Sequence, residues 1–362
     1  MGADSEISYN KEGTAIDSIV DKKLLRLLVC PRDHAPLEEK DQGLVCPKGH
    51  RYPIVEGIPV LLLSETPQTH VEGTRSLEIA ATPSVRSAPP GEPPSREIDP
   101  FVQEMIGATN GCLYVSLIGQ LTEYPIPALR LPCGEGKLFL EIGCHWGRWC
   151  VAAARRGYYP VGIDPSLNGI RSARKVAQQL GVEAHYVVAD GRYLPFAART
   201  FDQVFSYSVL QHLSRENVRL VLQEAARVLV PEGGCLVQMP NRFGIRCLYH
   251  QARRGFREAR DFEVRYWTPG ELTSTFRAVF GSTRIFVDGF FSLNPQISDV
   301  RFLPRKYRAI VYASEALRAV SRAFSPLTYV ADSLYVTAGF NGSTAGDNRV
   351  QAGMSRTASC SN

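Results

Sequence analysis

Apolar and polar positions along this chain follow two periods. From Lys137 onward, short apolar runs alternate with stretches of helical period. They predict strands near 138–142, 159–163, 184–189, 202–206 and 234–239, and helices near 147–156, 167–180 and 215–229. Strands joined through helices by short connections imply an α/β fold, with a parallel sheet covered on both faces. Thr268-Pro269-Gly270-Glu271 starts a further helix running to about Phe280, with Thr as N-cap, Pro at the first helical position and Glu closing a capping box. Strands at 283–288 and 334–340 bring the sheet to seven. Between these last two lies a long connection, 291–332, with a basic amphipathic stretch from Lys306 to Arg322. So long a connection is expected either to cover a site or to pack as a helix on the sheet edge.

The flanks read differently. Residues 1–23 are polar and expected to be flexible, and 24–64 form a compact block with paired Cys and His. Residues 65–99 are rich in Pro, Ser, Thr, Gly and Glu, include Pro89-Pro90 and Pro93-Pro94, and lack either period, which predicts a disordered linker. The main domain is then 100–340, opening with helices around Phe101–Ile106 and Leu113–Ile118 that Pro125 and Pro127 stop. The tail, 341–362, is Gly, Ser, Thr and Asn and is expected to be disordered.

An apolar content of 44% suits a globular core, and 41 Lys and Arg against 36 Asp and Glu give a formal charge of +5, too mild to mark a nucleic-acid binder by itself. The longest apolar runs, such as Ile58–Leu63, fall far short of the roughly 18 residues that span a bilayer, so no membrane span is expected. Nine scattered cysteines make no disulfide framework and no secretory leader opens the chain, which points to the cytoplasm.

The chemistry concentrates in Glu141-Ile-Gly143-Cys-His145-Trp-Gly147 after the first strand and Asp164-Pro165-Ser166 after the second. Glycines let backbone approach a ligand, and an acid ending the second strand accepts both hydroxyls of a ribose, so the pair points to a nucleoside cofactor. With Asp190-Gly191 after the third strand and Phe201-Asp-Gln-Val-Phe-Ser206 in the fourth, the chain resembles the class I S-adenosylmethionine-dependent methyltransferases over roughly 133–290. That resemblance implies a seven-stranded Rossmann-like sheet with helices on both faces and S-adenosyl-L-methionine as cofactor. It further implies that Gly143 and Gly147 line the cofactor's amino-acid end, that Asp164 holds the ribose diol, and that Asp190 and Gly191 meet the adenine edge. Glu141 orders the glycine turn and the methionine ammonium, and His145, Pro165 and Ser206 complete the cofactor set. His145 stands where the family has its middle glycine; it is either a site residue or a solvent-facing turn residue.

His212, after the fourth strand, is the base candidate because imidazole titrates near neutrality; packing at a helix start is the alternative. Tyr114 and Tyr124 before the first strand, and Asn241 and Arg242 after the fifth, flank the expected pocket mouth as substrate-binding candidates. Arginines 246, 253, 254, 257 and 260 continue from Arg242, interrupted by acids, and read as an anion site or as a solvated face with local ion pairs.

Leu27-Leu-Val-Cys30-Pro-Arg-Asp33-His34 and Leu44-Val-Cys46-Pro-Lys-Gly-His50, followed by Tyr52-Pro-Ile and Ile58-Pro-Val-Leu-Leu, resemble the small zinc-ribbon-like domain of the Trm112 family over about 24–64. Two Cys-x3-His knuckles supply a Cys2His2 set, Cys30, His34, Cys46 and His50, for structural zinc; a metal-free mini-domain with buried cysteines is the alternative. Three functions follow. The first is methyl transfer to a small-molecule, lipid-precursor or saccharide acceptor. The second is an RNA methyltransferase that docks rRNA or tRNA through the ribbon. The third is a non-catalytic methyltransferase-fold scaffold, with the ribbon as protein-partner surface.

Overall fold

A computed structural model of the chain describes residues 19–82, 97–109, 112–115, 117–291 and 296–340. The N-terminal unit opens with a short helix α1 (Lys22–Leu25), capped by the Asp21 carboxylate, and builds a four-stranded antiparallel sheet, β1 (Glu38–Lys40), β2 (Gly43–Val45), β3 (Arg51–Val55) and β4 (Ile58–Pro59). Residues 19–23 are not a flexible lead-in: Val20 is buried and the Ile19 N–H donates to the Glu39 carboxylate. Residues 1–18 lie outside the described residues.

Helices α2 (Val71–Ala81), α3 (Pro100–Thr109) and α4 (Cys112–Val115) come before the main sheet. The main domain then alternates: β5 (Leu138–Ile142), α5 (Arg148–Ala154), β6 (Tyr159–Asp164), α6 (Leu167–Gln179), β7 (His185–Val188), β8 (Phe201–Tyr207), α7 (Arg215–Val228), β9 (Leu229–Pro240). After a basic helix α8 (Ile245–Arg253) come α9 (Pro269–Phe280), β10 (Ser282–Gly289), α10 (Arg305–Ser321) and β11 (Ser333–Gly339). The seven strands lie in the order β10-β11-β9-β8-β5-β6-β7. β5 to β9 are parallel, and β11 and β10 join antiparallel at one end. The Rossmann-like α/β sheet expected from the sequence is therefore present.

The helices form for the reasons their sequences give. In α6, Ser166 caps the N-terminus by accepting from Gly169 N–H, and Leu167, Ile170, Ala173, Val176 and Ala177 make the buried stripe. In α9, Thr268 and Glu271 close the expected capping box in both directions, at 3.1 and 2.8 Å. The stretch from Lys306 to Arg322 is the amphipathic helix α10, most of it exposed.

Two departures matter for the site. The predicted structureless linker over 65–99 contains α2, whose buried positions are Gly73, Ser76 and Ala80. That face is small and polar, so it leaves no apolar period in the sequence; Ser76 is satisfied by donating to Pro165 O at 2.7 Å and accepting from Leu167 N–H at 2.8 Å. Residues 83–96 of that segment, and the tail from 341, lie outside the described residues. The N-terminal unit is also fastened to the main sheet. Val60 bridges Val188 in parallel, Leu61 N–H donates to Val188 O at 2.7 Å, and Val29 N–H donates to Pro195 O at 2.9 Å. It thereby covers the otherwise open edge of β7. Val55, Ile58, Val60 and Leu62 share one apolar cluster with Leu167, Ile170, Ala173 and Tyr186, and each of the Val, Ile and Leu side chains contributes about 1.5–3 kcal/mol on burial. Cys133 is disulfide-bonded, so the cysteines are not uniformly thiols, while Cys30, Cys46, Cys144, Cys150, Cys235 and Cys247 are free and buried. Among the described residues no helix is long and apolar enough to cross a membrane.

Candidate functional site

A cavity of about 420 Å³ opens at the carboxyl ends of β5, β6, β7 and β8, where ligands bind in open α/β sheets. Its floor is the glycine turn. Gly143 and Gly147 have φ of 79° and 77°, and a Cβ would stand 2.3 Å from Val209 on the first and 2.7 Å from the Tyr186 hydroxyl on the second. Neither position takes a side chain. His145 does take positive φ, 45°, and is held there because its N–H donates to Asp164 Oδ2 at 2.9 Å. It lines the cavity and does not face open solvent. Its Nδ1 has no partner, and burial pushes its pKa down to about 4, so the ring is neutral at pH 7.

Asp164, ending β6, is buried. Its other oxygen accepts from Ser166 N–H at 2.9 Å, yet burial outweighs both hydrogen bonds and lifts its pKa to about 6. Asp190 faces the same cavity but is already forked by the Arg192 guanidinium, with the shortest contact 2.6 Å, and Arg192 also donates to Pro67 O. Pro165 and Gly191 line the cavity as expected.

The other end of the cavity is unpaired. Glu141 is fully buried, its Oε2 has no partner, and burial raises its pKa to about 8. Arg148, at the first position of α5, is buried with Nη1 unpartnered, its guanidinium over the rings of Trp149 and Tyr207. The indole N–H of Trp149 is orphaned as well. Among the described residues Glu141 and Arg148 form no ion pair with each other or with any third group. An acid and a base that line one cavity without touching match the two charges of an α-amino acid.

Walls missing from the sequence reading complete the enclosure. Thr69, His70, Glu72 and Arg75 come from α2 and its approach, Met105 and Thr109 from α3, and Phe262 from beyond α8. Glu72 accepts from the Ser166 hydroxyl at 3.2 Å, beside Asp164. His212 lines the cavity beside Phe262, its ring parallel to that of Phe262 with centroids 4.0 Å apart and its Nδ1 2.6 Å from Phe262 O, and His70 meets the same Phe262 ring at 4.3 Å. A carbonyl only accepts, so Nδ1 carries the hydrogen and Nε2 is the free base, engaged by the Gln211 amide at 3.3 Å. Burial lowers its pKa, keeping it neutral.

Six sequence candidates lie off the cavity lining. Gly147 turns the chain into α5, and a Cβ on it would meet Tyr186 and Ala173 rather than the cavity. Ser206 is buried and donates to Ile142 O, tying β8 to β5. Tyr114 is buried away from the lining, and Tyr124 packs on Trp146 and bonds Gln179. Asn241 is buried with its amide donating to Tyr329 O and Ala331 O at 2.8 Å and its oxygen accepting from Phe243 N–H, which makes it a loop clamp. Arg242 is exposed. Position along the chain placed Asn241 and Arg242 near the mouth, but the turn after β9 (Leu229–Pro240) carries them elsewhere. Arg148, directly after Gly147, was the legible signal that went unused.

In the N-terminal unit, Cys30, Asp33, Cys46 and His50 bring their ligand atoms within 4.8 Å of one another. His34 is not among them, which corrects the predicted Cys2His2 set. The turn that returns His34 N–H to Cys30 O gives His34 a φ of 55° and leaves Asp33 facing the cluster. His50 Nδ1 is 3.4 Å from Cys30 Sγ, 3.3 Å from Cys46 Sγ and 3.3 Å from Asp33 Oδ2. Tetrahedral zinc bonds of 2.0–2.3 Å place ligand atoms about 3.3–3.8 Å apart, so the distances from His50 Nδ1 suit such an ion.

Residues 139–233 match the methyltransferase domain family, and residues 21–57 match the Trm112p-like protein family. Among curated relatives, a ubiquinone biosynthesis O-methyltransferase from Rhizobium etli is 34% identical over 108 residues, covering 30% of this chain and 43% of that protein. The chain thus spans under half the length of such relatives. Among solved structures, an S-adenosylmethionine-dependent methyltransferase from Methanosarcina mazei is 16% identical over 57% of this chain and 93% of its own, with a TM-score of 0.40. A complex between the Haloferax volcanii Trm112 methyltransferase activator and a methyltransferase gives 19% identity over 58% of this chain and 84% of the matched one, with a TM-score of 0.38.

Proposed function

We propose that this chain, a methyltransferase domain joined to a Trm112p-like domain, transfers a methyl group from S-adenosylmethionine to a small-molecule acceptor of lipid-precursor or saccharide type. The observation that carries the reading is the meeting, in one cavity, of the ribose-competent Asp164 with two unpartnered atoms, Glu141 Oε2 and Arg148 Nη1. When bound, the cofactor supplies an electrophilic sulfonium methyl. The chain's residues hold and align. Asp164 accepts the two ribose hydroxyls, Asp190 and Gly191 border the adenine, and Gly143 gives the backbone room to approach while Gly147 lets the turn enter α5. Glu141 receives the ammonium and Arg148 the carboxylate. His212, neutral and lining the cavity, takes the acceptor's proton through Nε2 once Gln211 releases it.

A small acceptor is favoured by the walls that α2, α3 and Phe262 put around the cavity, since an RNA base flipped into it would also have to seat its flanking backbone against those walls. Incubating the protein with methyl-labelled donor and, separately, organic-soluble, saccharide and RNA fractions of a cell extract tests this. Label in the organic or saccharide fraction supports it; label only in RNA overturns the acceptor class, and no transfer to any fraction supports the scaffold reading instead. The cluster of Cys30, Asp33, Cys46 and His50 is proposed to hold structural zinc on the strength of its donor types and spacing. Metal analysis of the purified chain, with Cys46→Ser as control, decides that point.

A further inference from the structure

Helix α8 is built inside out. Its buried positions are Cys247 and Gln251, and the Gln251 amide is spent on Arg242 O and Cys247 O. At 100° per residue, Ile245, Leu248 and Tyr249 share one stripe turned away from that buried edge. All three are exposed, at 54%, 41% and 53%, with Phe243 before them at 44% and Phe256 after them at 65%. Arg246 and Arg253 run along the margin of the stripe, and Arg253 lies over the Tyr249 ring. Between 242 and 257 the chain has five arginines and no Asp or Glu. Arg254 and Arg257 are paired with Glu263, but among the described residues Arg242, Arg246 and Arg253 have no ion-pair partner.

Only one kind of surface satisfies both features. A second copy of the chain packed on this stripe across a two-fold axis would set unpaired arginines against their own copies. A nucleic acid would use the arginines and stack bases on Phe243, Tyr249 and Phe256, but it would leave the aliphatic Ile245 and Leu248 in water. An anionic bilayer takes apolar side chains into its interface and meets the arginines with headgroup charge. We infer that α8 and its flanks, from Phe243 to Phe256, form a docking face for an anionic lipid surface. The helix is anchored for this: the Asp332 carboxylate accepts from Arg246 and Cys247 N–H at 2.6 and 2.9 Å. The excursion that carries it is closed at its neck by Arg242 N–H donating to Trp267 O at 2.8 Å. The same excursion supplies Phe262 to the cavity wall, so the docking face and the mouth sit on one continuous piece of chain.

The test is co-sedimentation of the full chain with vesicles of phosphatidylcholine alone and of phosphatidylcholine mixed with phosphatidylglycerol. The wild type should partition onto the anionic vesicles, and Leu248→Glu with Tyr249→Glu, or Arg246→Glu with Arg253→Glu, should each lower the partition coefficient roughly tenfold or more. Both pairs lie outside the cavity, so unchanged S-adenosylhomocysteine binding and thermal unfolding establish that the variants are folded. No binding to anionic vesicles, equal binding to neutral ones, or self-association through this face without vesicle binding overturns the inference. None of those results bears on the methyl-donor site, which is read by a different ligand.

Discussion

Glu141 and Asp164 are more readily protonated in the folded chain than in the unfolded one, because burial disfavours their charge. For Glu141 the window runs from 4.5 to about 8, and for Asp164 from 3.8 to about 6. Within each window the folded chain keeps a proton that the unfolded chain has lost, so stability falls as pH rises. The thermal midpoint of the ligand-free protein should therefore decline from the acid to the alkaline end of the Glu141 window, and Glu141→Gln should flatten that decline; an unchanged profile would count against a buried Glu141. A ligand ammonium favours the ionised form, so binding S-adenosylhomocysteine at neutral pH should release a proton that Glu141→Gln does not release, read by calorimetry in buffers of different ionisation enthalpy. Arg148→Ala should weaken S-adenosylhomocysteine roughly tenfold or more while leaving 5′-methylthioadenosine, which lacks the amino-acid end, nearly unaffected. Equal weakening of both ligands would remove Arg148 from its assigned place. At this scale the glycine turn, Asp164 and Asp190 were legible because their chemistry is tied to strand ends. In the cluster, Asp33 stands at the knuckle's partner position in the sequence with His34 one further, and the left-handed turn at His34 decides that Asp33 is the one that points inward.

Among the elements, the parallel sheet and the helices of α6, α7 and α9 could be read from apolar period and caps, since each buries a long stripe against the sheet. Helix α2 escaped because it buries Gly73, Ser76 and Ala80, residues whose small volume serves close approach and carries no apolar signal. Its fastening is polar, and the Ser76 hydroxyl serves both Pro165 O and Leu167 N–H. Ser76→Val leaves both groups buried without a partner, at a cost of about 1–3 kcal/mol, and should raise amide exchange in the Ser166–Leu167 turn and weaken cofactor binding together. Weakened binding with unchanged exchange would separate α2 from the ribose loop. Glu72, on the same helix, makes the approach to Asp164 acidic and is the reason α2 belongs to the site as well as to the fold.

For the whole molecule, the joining of the N-terminal unit to the main sheet was hidden in the sequence because it rests on short contacts, Val60 and Leu61 on Val188 and Val29 on Pro195, and on a cluster assembled from distant segments. With that shared core, the two matched domains should unfold as one cooperative transition. Cys46→Ser, or a strong chelator acting on a zinc-loaded chain, should lower the single midpoint; two separated transitions in the intact protein would contradict the shared core. The exposed stripe on α8 would turn one side of the molecule toward a lipid surface, and the same excursion of chain contributes Phe262 to the wall of the cavity proposed for the methyl donor. The most direct test of the central claim is calorimetric titration of the wild type and Asp164→Ala with S-adenosylhomocysteine at neutral pH. The account predicts saturable binding by the wild type and a loss of roughly 100-fold in Asp164→Ala, as expected when a carboxylate that accepts two hydroxyls is removed. No binding by the wild type, or equal affinity in the two proteins, would contradict it.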